Sequence, residues 1–257
     1  MNKTVQFDTN NYEFNPNSKI GIYLIHGFSS TTYELKQLAK QFADQEYHVV
    51  LNNLPGHGTT LEDCNKTKYQ NWLDYSKTEF AKLCSTSDKV FVVGCSMGGV
   101  IALYLSSLFP VTGTIVGGVV LKFKLNFYTN YLNRLVCRII KTRPKNLIFP
   151  KSIRDSLIFY GYQSYPLIAL EEFRKMNLYV KKRLNKIKCP ILIVHSENDQ
   201  VSIRANVDII TESIQSQDKN ILEVKNAHHN VFDNNPDLEL IFSTAKDFIN
   251  NKIKEKI

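Results

Sequence analysis

Six short apolar runs alternate with amphipathic stretches along most of this 257-residue chain. The runs are almost continuously apolar, which is typical of parallel strands buried on both faces. They lie at 19–25, 47–52, 89–94, 114–121, 190–195 and 220–225. The stretches between them have helical periodicity and lie at 31–45, 69–84, 97–109, 201–214 and 236–257. This alternation predicts an α/β fold with helices on both faces of a doubly wound, mostly parallel sheet.

The alternation stops after Leu121 and resumes at Pro190. The intervening residues are aromatic, basic and helix-like, and they are too many for a simple crossover. In an open α/β sheet, an insertion at the carboxyl ends of the strands lies over the crevice where ligands bind. We therefore predict one domain over 1–257, with a core at 1–121 and 190–257 and an inserted helical cap at about 122–189.

The positive charge of the chain is concentrated in this cap. Residues 122–188 contain sixteen lysines and arginines and three acidic residues, whereas the rest contains sixteen basic and twenty-one acidic residues. No nucleic-acid-binding motif accompanies the excess, so we predict no nucleic-acid partner. Most such segments are solvated lysine-rich faces, but basic amphipathic helices also bind anionic membrane surfaces, and weak surface association stays an alternative.

The chain lacks the long uncharged apolar segment that a membrane-spanning helix needs, and its first residues lack the apolar middle of a secretory signal. We therefore expect a cytoplasmic protein without stable membrane insertion. The five cysteines are odd in number and scattered, which favours reduced thiols over disulfides or structural zinc. The sequence does not indicate an oligomeric state.

The segment GCSMG at 94–98 directly follows a predicted buried strand. Glycine and serine here are compatible with an ordinary strand-to-helix turn in which serine caps the helix. The same spacing, G-x-S-x-G, is that of a strained turn that exposes a nucleophilic serine above the sheet. Ser96 can be a nucleophile only if an imidazole accepts its proton and a carboxylate orients that imidazole.

Both partners follow later predicted strands. Asp199 comes four residues after the run at 190–195, and His228 and His229 follow the run at 220–225. Taken alone, each is more typical of a turn or a solvated loop. Their order, serine then acid then histidine, is the order of hydrolases that carry a G-x-S-x-G turn. At this point either histidine could be the base.

Stabilisation of the reaction's oxyanion requires two preorganised donors. The first strong strand ends in HGF, which makes the backbone N–H of Phe28 one candidate. The N–H of Met97, which opens the helix after Ser96, is the other. We assign His26 a structural role inside this turn.

The segments HGF (26–28), LPGHG (54–58), GCSMGG (94–99), the Asp199 loop and AHH (227–229) resemble the α/β-hydrolase superfamily, in its branch of monoacylglycerol lipases and small bacterial carboxylesterases. The resemblance implies the α/β-hydrolase fold. In this branch the base follows a small and then a variable residue and precedes a hydrophobic pair. Ala227, His228 and Val231–Phe232 fit that pattern, so it implies His229 as the base, with His228 as the alternative.

The leading hypothesis is a serine hydrolase that cleaves small-molecule carboxylic esters through an acyl-enzyme. Ser96 is the nucleophile, His229 the base and Asp199 the residue that orients it. No metal or organic cofactor is implied. The alternatives are a thioesterase or carbon–carbon bond hydrolase with the same triad, and a non-catalytic ligand receptor on a hydrolase scaffold.

Large apolar side chains are dense in the cap, where they could shelter the acyl chain of a substrate. We predict that the substrate-binding residues are Phe28, Phe123, Phe127, Phe159, Tyr162 and Leu167.

Overall fold

The computed structural model describes residues 6–125, 127–145 and 159–254. The strands in these ranges are β1 (Tyr12–Phe14), β2 (Ile20–Ile25), β3 (His48–Leu51), β4 (Lys89–Cys95), β5 (Gly113–Gly117), β6 (Thr142–Pro144), β7 (Ser164–Pro166), β8 (Ile191–Ser196) and β9 (Lys219–Val224). Seven of them form one sheet in the order β1-β3-β2-β4-β5-β8-β9. Only β1 is antiparallel to its neighbour. The predicted doubly wound, mostly parallel sheet is confirmed.

Eight α-helices accompany the strands in the described ranges. They are α1 (Tyr33–Ala43), α2 (Leu61–Lys66), α3 (Tyr69–Thr86), α4 (Met97–Ser106), α5 (Asn133–Val136), α6 (Leu167–Lys181), α7 (Ala205–Ser213) and α8 (Leu238–Lys254). Within these ranges, no helix is both long enough and apolar enough to span a membrane.

The helices cover both faces of the sheet because neighbouring residues of each strand point to opposite sides. In β2, Ile22 and Leu24 pack with α1 and α8, whereas Tyr23 and Ile25 pack with α3 and α4. In α1 the buried residues Leu35, Leu38, Ala39 and Phe42 recur at helical spacing and form one apolar stripe. The central strands β2, β4, β5 and β8 are therefore buried on both sides, as their continuous apolar sequences predict, whereas β9 lies at the edge of the sheet and is mostly exposed.

The parallel arrangement brings the carboxyl ends of six strands, β2, β3, β4, β5, β8 and β9, to one edge of the sheet. The segments that leave this edge begin at His26 after β2, at Ser96 after β4 and at Glu197 after β8. The segment after β9 contains both histidines of the AHH motif. The predicted chemistry-bearing residues thus share one edge, where ligands bind in folds of this type.

The described part of the predicted cap is not helical throughout. It contains a π-helical turn (Tyr128–Leu132) that continues into α5, the antiparallel pair β6–β7, and the long helix α6. Residues 126 and 146–158 of the predicted cap lie outside the described ranges. The two-stranded sheet was not part of the predicted, largely helical cap, because three-residue strands are too short to leave a periodic signal in the sequence.

Candidate active site

Ser96 occupies the sharp turn between β4 and α4. Its backbone has φ 55° and ψ −114°, a conformation that side-chain-bearing residues rarely adopt. A Cβ atom at Gly98 would lie 2.0 Å from the carbonyl oxygen of Ile25, and one at Gly94 would lie 2.2 Å from that of Gly98. The turn is therefore closed by direct backbone packing among β2, β4 and α4, which explains both glycines of G-x-S-x-G.

His229 lies between Ser96 and Asp199. Its Nε2 atom is 2.9 Å from Oγ of Ser96, and its Nδ1 atom is 2.8 Å from Oδ2 and 3.0 Å from Oδ1 of Asp199. Oδ1 of Asp199 also accepts the backbone N–H groups of Val201 and Ser202, at 2.7 and 2.8 Å. When Nδ1 carries the proton, it donates to Asp199 and leaves Nε2 free to accept from the hydroxyl of Ser96.

The surroundings of His229 favour its charged form. Burial opposes a charge on the imidazole, but the carboxylate of Asp199 outweighs this effect with help from Glu34, so the pKa of His229 lies above its ordinary value. The side chain of Asp199 is fully buried, whereas that of His229 is 23% exposed. The imidazolium that forms when Ser96 loses its proton would therefore be stabilised where it forms.

The structure brings His229, and not His228, to the nucleophile. His228 is exposed, and no hydrogen bond joins it to another described residue. Asp237 accepts the N–H groups of Asn226 and Ala227, which holds the loop before the histidines in place. The geometry supports the predicted choice, and the role of base stays a prediction.

The two predicted oxyanion donors are unpaired. Within the described ranges, the backbone N–H groups of Phe28 and Met97 have no acceptor in the protein. The N–H groups on either side of Phe28 are paired, since Gly27 donates to the carboxylate of Glu34 and Ser29 donates to Nε2 of His57 at 3.1 Å. This pattern leaves two donors beside Ser96 for a developing negative charge.

The other two histidines of the recognised motifs support the backbone. His26 is buried, accepts the N–H of Leu54 through Nε2 at 3.0 Å and contacts the carbonyl of Gly27 through Nδ1 at 2.9 Å. Burial lowers the pKa of His26 to about 4 and also lowers the pKa of His57. Both rings therefore stay neutral and join the loop after β2 to the LPGHG loop.

An aromatic cluster surrounds the ring of Phe28, whose backbone N–H is one of the predicted oxyanion donors. The ring of Phe28 stacks on Tyr165 with centroids 6.3 Å apart and an interplanar angle of 6°, and it packs against Phe173 at 5.5 Å. Phe123 contacts the other side of Phe173 at 5.2 Å. Tyr165 and Phe173 belong to the cap, and the sequence reasoning missed both, because aromatic residues in a helical segment look like ordinary core.

The remaining predicted substrate-binding residues have different surroundings. Tyr162 is buried and donates its hydroxyl to the carbonyl of Gly56 at 2.8 Å, and Leu167 is buried at the start of α6. Phe159 lies under the ammonium group of Lys145, 5.2 Å from ring centroid to Nζ. Phe127 departs from the prediction: it is 67% exposed and its ring is tilted by 35° against that of Tyr131, because the short helical segment that carries it is buried through Thr129 and Asn133.

Two buried charged residues near the site were also missed. Glu34 and Lys145 are about as buried as Ser96, at 6% and 5% exposed. Burial raises the pKa of Glu34 to about 7 and lowers the pKa of Lys145 to about 7. In the sequence, the position of Glu34 as a lone glutamate on the apolar stripe of α1 could have indicated that it is buried. In the described part of the chain, no group of three or more metal-ligating side chains could hold an ion.

Comparisons with known proteins agree with this geometry. A family model described as serine aminopeptidase, S33 (Hydrolase_4) matches residues 16–237. A thermostable monoacylglycerol lipase from Bacillus sp. (strain H-257) is 28% identical over 225 residues, which cover 83% of this chain and 84% of that protein. The phospholipase YtpA from Bacillus subtilis (strain 168) is 25% identical and covers 90% of this chain and 95% of its own.

A solved structure described with LipS and LipT, two metagenome-derived lipolytic enzymes, superposes with a TM-score of 0.85. It is 25% identical and covers 96% of this chain and 100% of its own. Together with the family match, this similarity confirms the predicted α/β-hydrolase fold and the resemblance inferred from the motifs.

Substitution of each histidine tests the choice between them. We expect His229→Ala to lower kcat/KM for an ester by on the order of a million-fold, as loss of a triad histidine does elsewhere. His228→Ala, the matched control one residue away, should stay near the wild-type value. Steady-state hydrolysis of a nitrophenyl ester measures both. The reverse pattern would make His228 the base.

Proposed function

Because this chain belongs to the family described as serine aminopeptidase, S33, we propose that Ser96, His229 and Asp199 are its catalytic triad. The protein is an ester-cleaving serine hydrolase, similar to monoacylglycerol lipases and esterases. The observation that carries the assignment is the distance of 2.9 Å between Nε2 of His229 and Oγ of Ser96. A nucleophile and a base at this distance, with the base bonded to a buried carboxylate, are the parts that acyl transfer requires.

Acylation begins when Oγ of Ser96 attacks the ester carbonyl carbon and its proton moves to Nε2 of His229. Asp199 stabilises the imidazolium through Nδ1, and the N–H groups of Phe28 and Met97 donate to the oxyanion. When the tetrahedral intermediate collapses, the bond to the alcohol oxygen breaks and His229 gives its proton to that oxygen. The alcohol leaves, and the acyl group stays on Ser96.

Deacylation repeats these steps with water. His229 accepts a proton from a water molecule, whose oxygen attacks the acyl carbon, and then returns the proton to Oγ of Ser96. The carboxylic acid is released and the free enzyme is regenerated. Nε2 of His229 takes part in every proton transfer. The ring must therefore be held at both nitrogens, by Ser96 at Nε2 and by Asp199 at Nδ1.

We infer that the substrate is a small ester with an acyl chain and that the described parts of the predicted cap, 122–125, 127–145 and 159–189, cover the site. The aromatic cluster of Phe28, Phe123, Tyr165 and Phe173 supplies an apolar wall next to the oxyanion donors. Backbone contacts of the cap with the loop after β2 support this role: the N–H of Tyr162 donates to the carbonyl of Ser29 at 3.0 Å. Apolar side chains of the kind that bind acyl chains therefore surround Phe28, whose N–H is a proposed oxyanion donor.

The cap also presents an exposed apolar face, formed by Phe127, Tyr131, Leu135 and Ile139, which we call the cap apolar face. These residues recur every fourth position, and Ile139 is 86% exposed. Arg134, Arg138 and Lys141 are interspersed with this face. We propose that the face rests weakly on anionic membranes, because apolar contact and positive charge together favour interfacial binding.

We propose that the protein is located in the cytoplasm. All five cysteines are free thiols, which supports a reducing compartment.

The proposed reaction is tested by Ser96→Ala. This variant should lose hydrolysis of short nitrophenyl esters and labelling by a fluorophosphonate, with an unchanged melting temperature, because the attacking oxygen is gone. Thioesters and nitroanilides of the same acyl group, assayed alongside, measure the preference among leaving groups. Strong residual ester turnover in the purified variant would remove Ser96 from its proposed role, and the absence of both turnover and labelling in the wild type would favour a non-catalytic receptor.

The proposed acyl site is tested by a series of ester chain lengths. Each buried methylene contributes about 0.8 kcal/mol, so kcat/KM should rise on the order of a hundredfold over four carbons and then fall once the chain outgrows the site. Phe123→Ala should flatten the rise and leave acetate hydrolysis nearly unchanged. Leu178→Ala, an exposed position on α6, is the control. A strict preference for acetate would contradict an acyl-binding cap.

The membrane proposal is tested with the double variant Leu135→Glu and Ile139→Glu. Wild-type protein should co-sediment with phosphatidylglycerol vesicles more than with phosphatidylcholine vesicles, and less at high salt, since surface charges are screened. The double variant should lose this binding and keep its melting temperature, whereas Leu240→Glu on α8 should not lose it. Equal sedimentation of all three proteins would overturn the proposal. Conversion of a dimer to a monomer would instead identify the face as an interface between two copies.

A further inference from the structure

Glu34 brings a second carboxylate close to the nucleophile. It lies in the first turn of α1 and is 6% exposed. A Cβ atom built on Gly27 would lie 3.1 and 3.3 Å from the two carboxylate oxygens of Glu34 and 3.2 Å from Cβ of Ser96. The carboxylate and Cβ of the nucleophilic residue therefore both lie against the side of Gly27 where a side chain would stand.

The carboxylate is bound to the segment that carries an oxyanion donor. It accepts the N–H of Gly27, the residue immediately before Phe28. On the other side of Phe28, the N–H of Ser29 is taken by His57. Hydrogen bonds to Glu34 and His57 hold the N–H groups before and after Phe28 in place. The N–H of Phe28 therefore has little freedom to turn away from the site.

We propose that Glu34 is a positioning residue of the oxyanion hole, which holds the loop at Gly27 and adds a negative charge next to the triad. The inference rests on the proposed function, since it concerns the same reaction. Glu34 does not touch the substrate. It acts through the backbone of the loop and through its field at His229.

The free-energy cost of burying the carboxylate of Glu34 indicates that this group contributes to function and not only to the stability of the fold. Burial of a carboxylate without a close counter-ion lowers the stability of the fold, and hydrogen bonds to the carboxylate offset only part of this loss. In the described ranges, no cation lies within 4 Å of Glu34, and its polar partners are the N–H of Gly27 and the side chain of Ser30. Burial raises the pKa of Glu34 to about 7, so the side chain is partly ionised near neutral pH and ionised above it. A neutral glutamine could accept the same N–H at a lower cost, so the ionised form needs an explanation.

The charged groups around Glu34 suggest what its charge does. His229 and Lys145 are the cationic groups whose charges act on it, with His229 the stronger of the two. Glu34 in turn raises the pKa of His229, in the same direction as Asp199. It also raises the already high pKa values of Cys95 and Tyr160, which stay protonated and neutral. Glu34 thus adds to the stabilisation of the imidazolium during proton transfer.

Three variants separate the two effects. Glu34→Ala removes both the acceptor and the charge, and kcat should fall on the order of a hundredfold with little change in KM, as expected when an oxyanion donor is misplaced. Glu34→Gln keeps an acceptor oxygen, so its loss should be smaller, about tenfold or less. Glu172→Gln is the control, because Glu172 is also a buried glutamate that accepts a backbone N–H, that of Tyr69 at 3.3 Å, but its charge is paired with Lys175 at 2.7 Å and it has no contact with Gly27.

The rate of Ser96 labelling by a fluorophosphonate, measured against pH, gives a readout that a structural role would not change. Glu34→Gln removes a negative charge that raises the pKa of His229, so the acid limb of the profile should move to lower pH. Glu172→Gln should leave the limb in place. All melting temperatures are measured in parallel.

The outcomes are distinguishable. If Glu34→Ala keeps the wild-type kcat, or if all three variants lose activity only in proportion to lost folded protein, the inference is wrong while the proposed function stands. An unmoved acid limb in Glu34→Gln would likewise refute the effect of its charge. If wild-type Ser96 is neither labelled nor active on esters, the proposed function fails first.

Discussion

The close contact of three backbones around Ser96 is the constraint on which the site depends. Gly98 lets the start of α4 meet the end of β2, and Gly94 lets β4 meet the same turn. Because side chains are excluded there, the serine is forced into a positive φ. The strain is offset by the surrounding sheet, whose central strands are buried on both faces. The core therefore stabilises an orientation of one hydroxyl that an isolated turn would not keep.

The carboxylates and the lysine around this turn are buried, and no exposed ion pair among the described residues contributes to the site. Asp199 is fully buried and fully hydrogen-bonded, while Glu34 and Lys145 are buried without a close partner of opposite charge. Low local dielectric makes each of these charges effective over a longer distance than in water. The carboxylates of Asp199 and Glu34 thus both raise the pKa of His229.

The sheet and the strand-end residues could be predicted because they depend on local periodicity and on the rule that parallel strands end at one edge. The predictions of Ser96 and Asp199 also needed the G-x-S-x-G spacing and the chain order of serine, acid and histidine. The choice of His229 over His228 required the family resemblance, since neighbouring loop residues have no periodic signal. Burial of Glu34 and exposure of Phe127 depend on how distant segments pack, which no single stretch of sequence encodes.

The cap and the oxyanion loop share backbone hydrogen bonds, because Ser30 pairs with Gly161 and Tyr162 donates to Ser29. The insertion is therefore not an interchangeable module. A cap taken from a relative would have to supply a matching extended segment at 160–162, or the loop beside Ser96 would lose part of its framework. A change in the cap that alters substrate choice is therefore expected to change the reaction rate as well, because both depend on the same backbone framework.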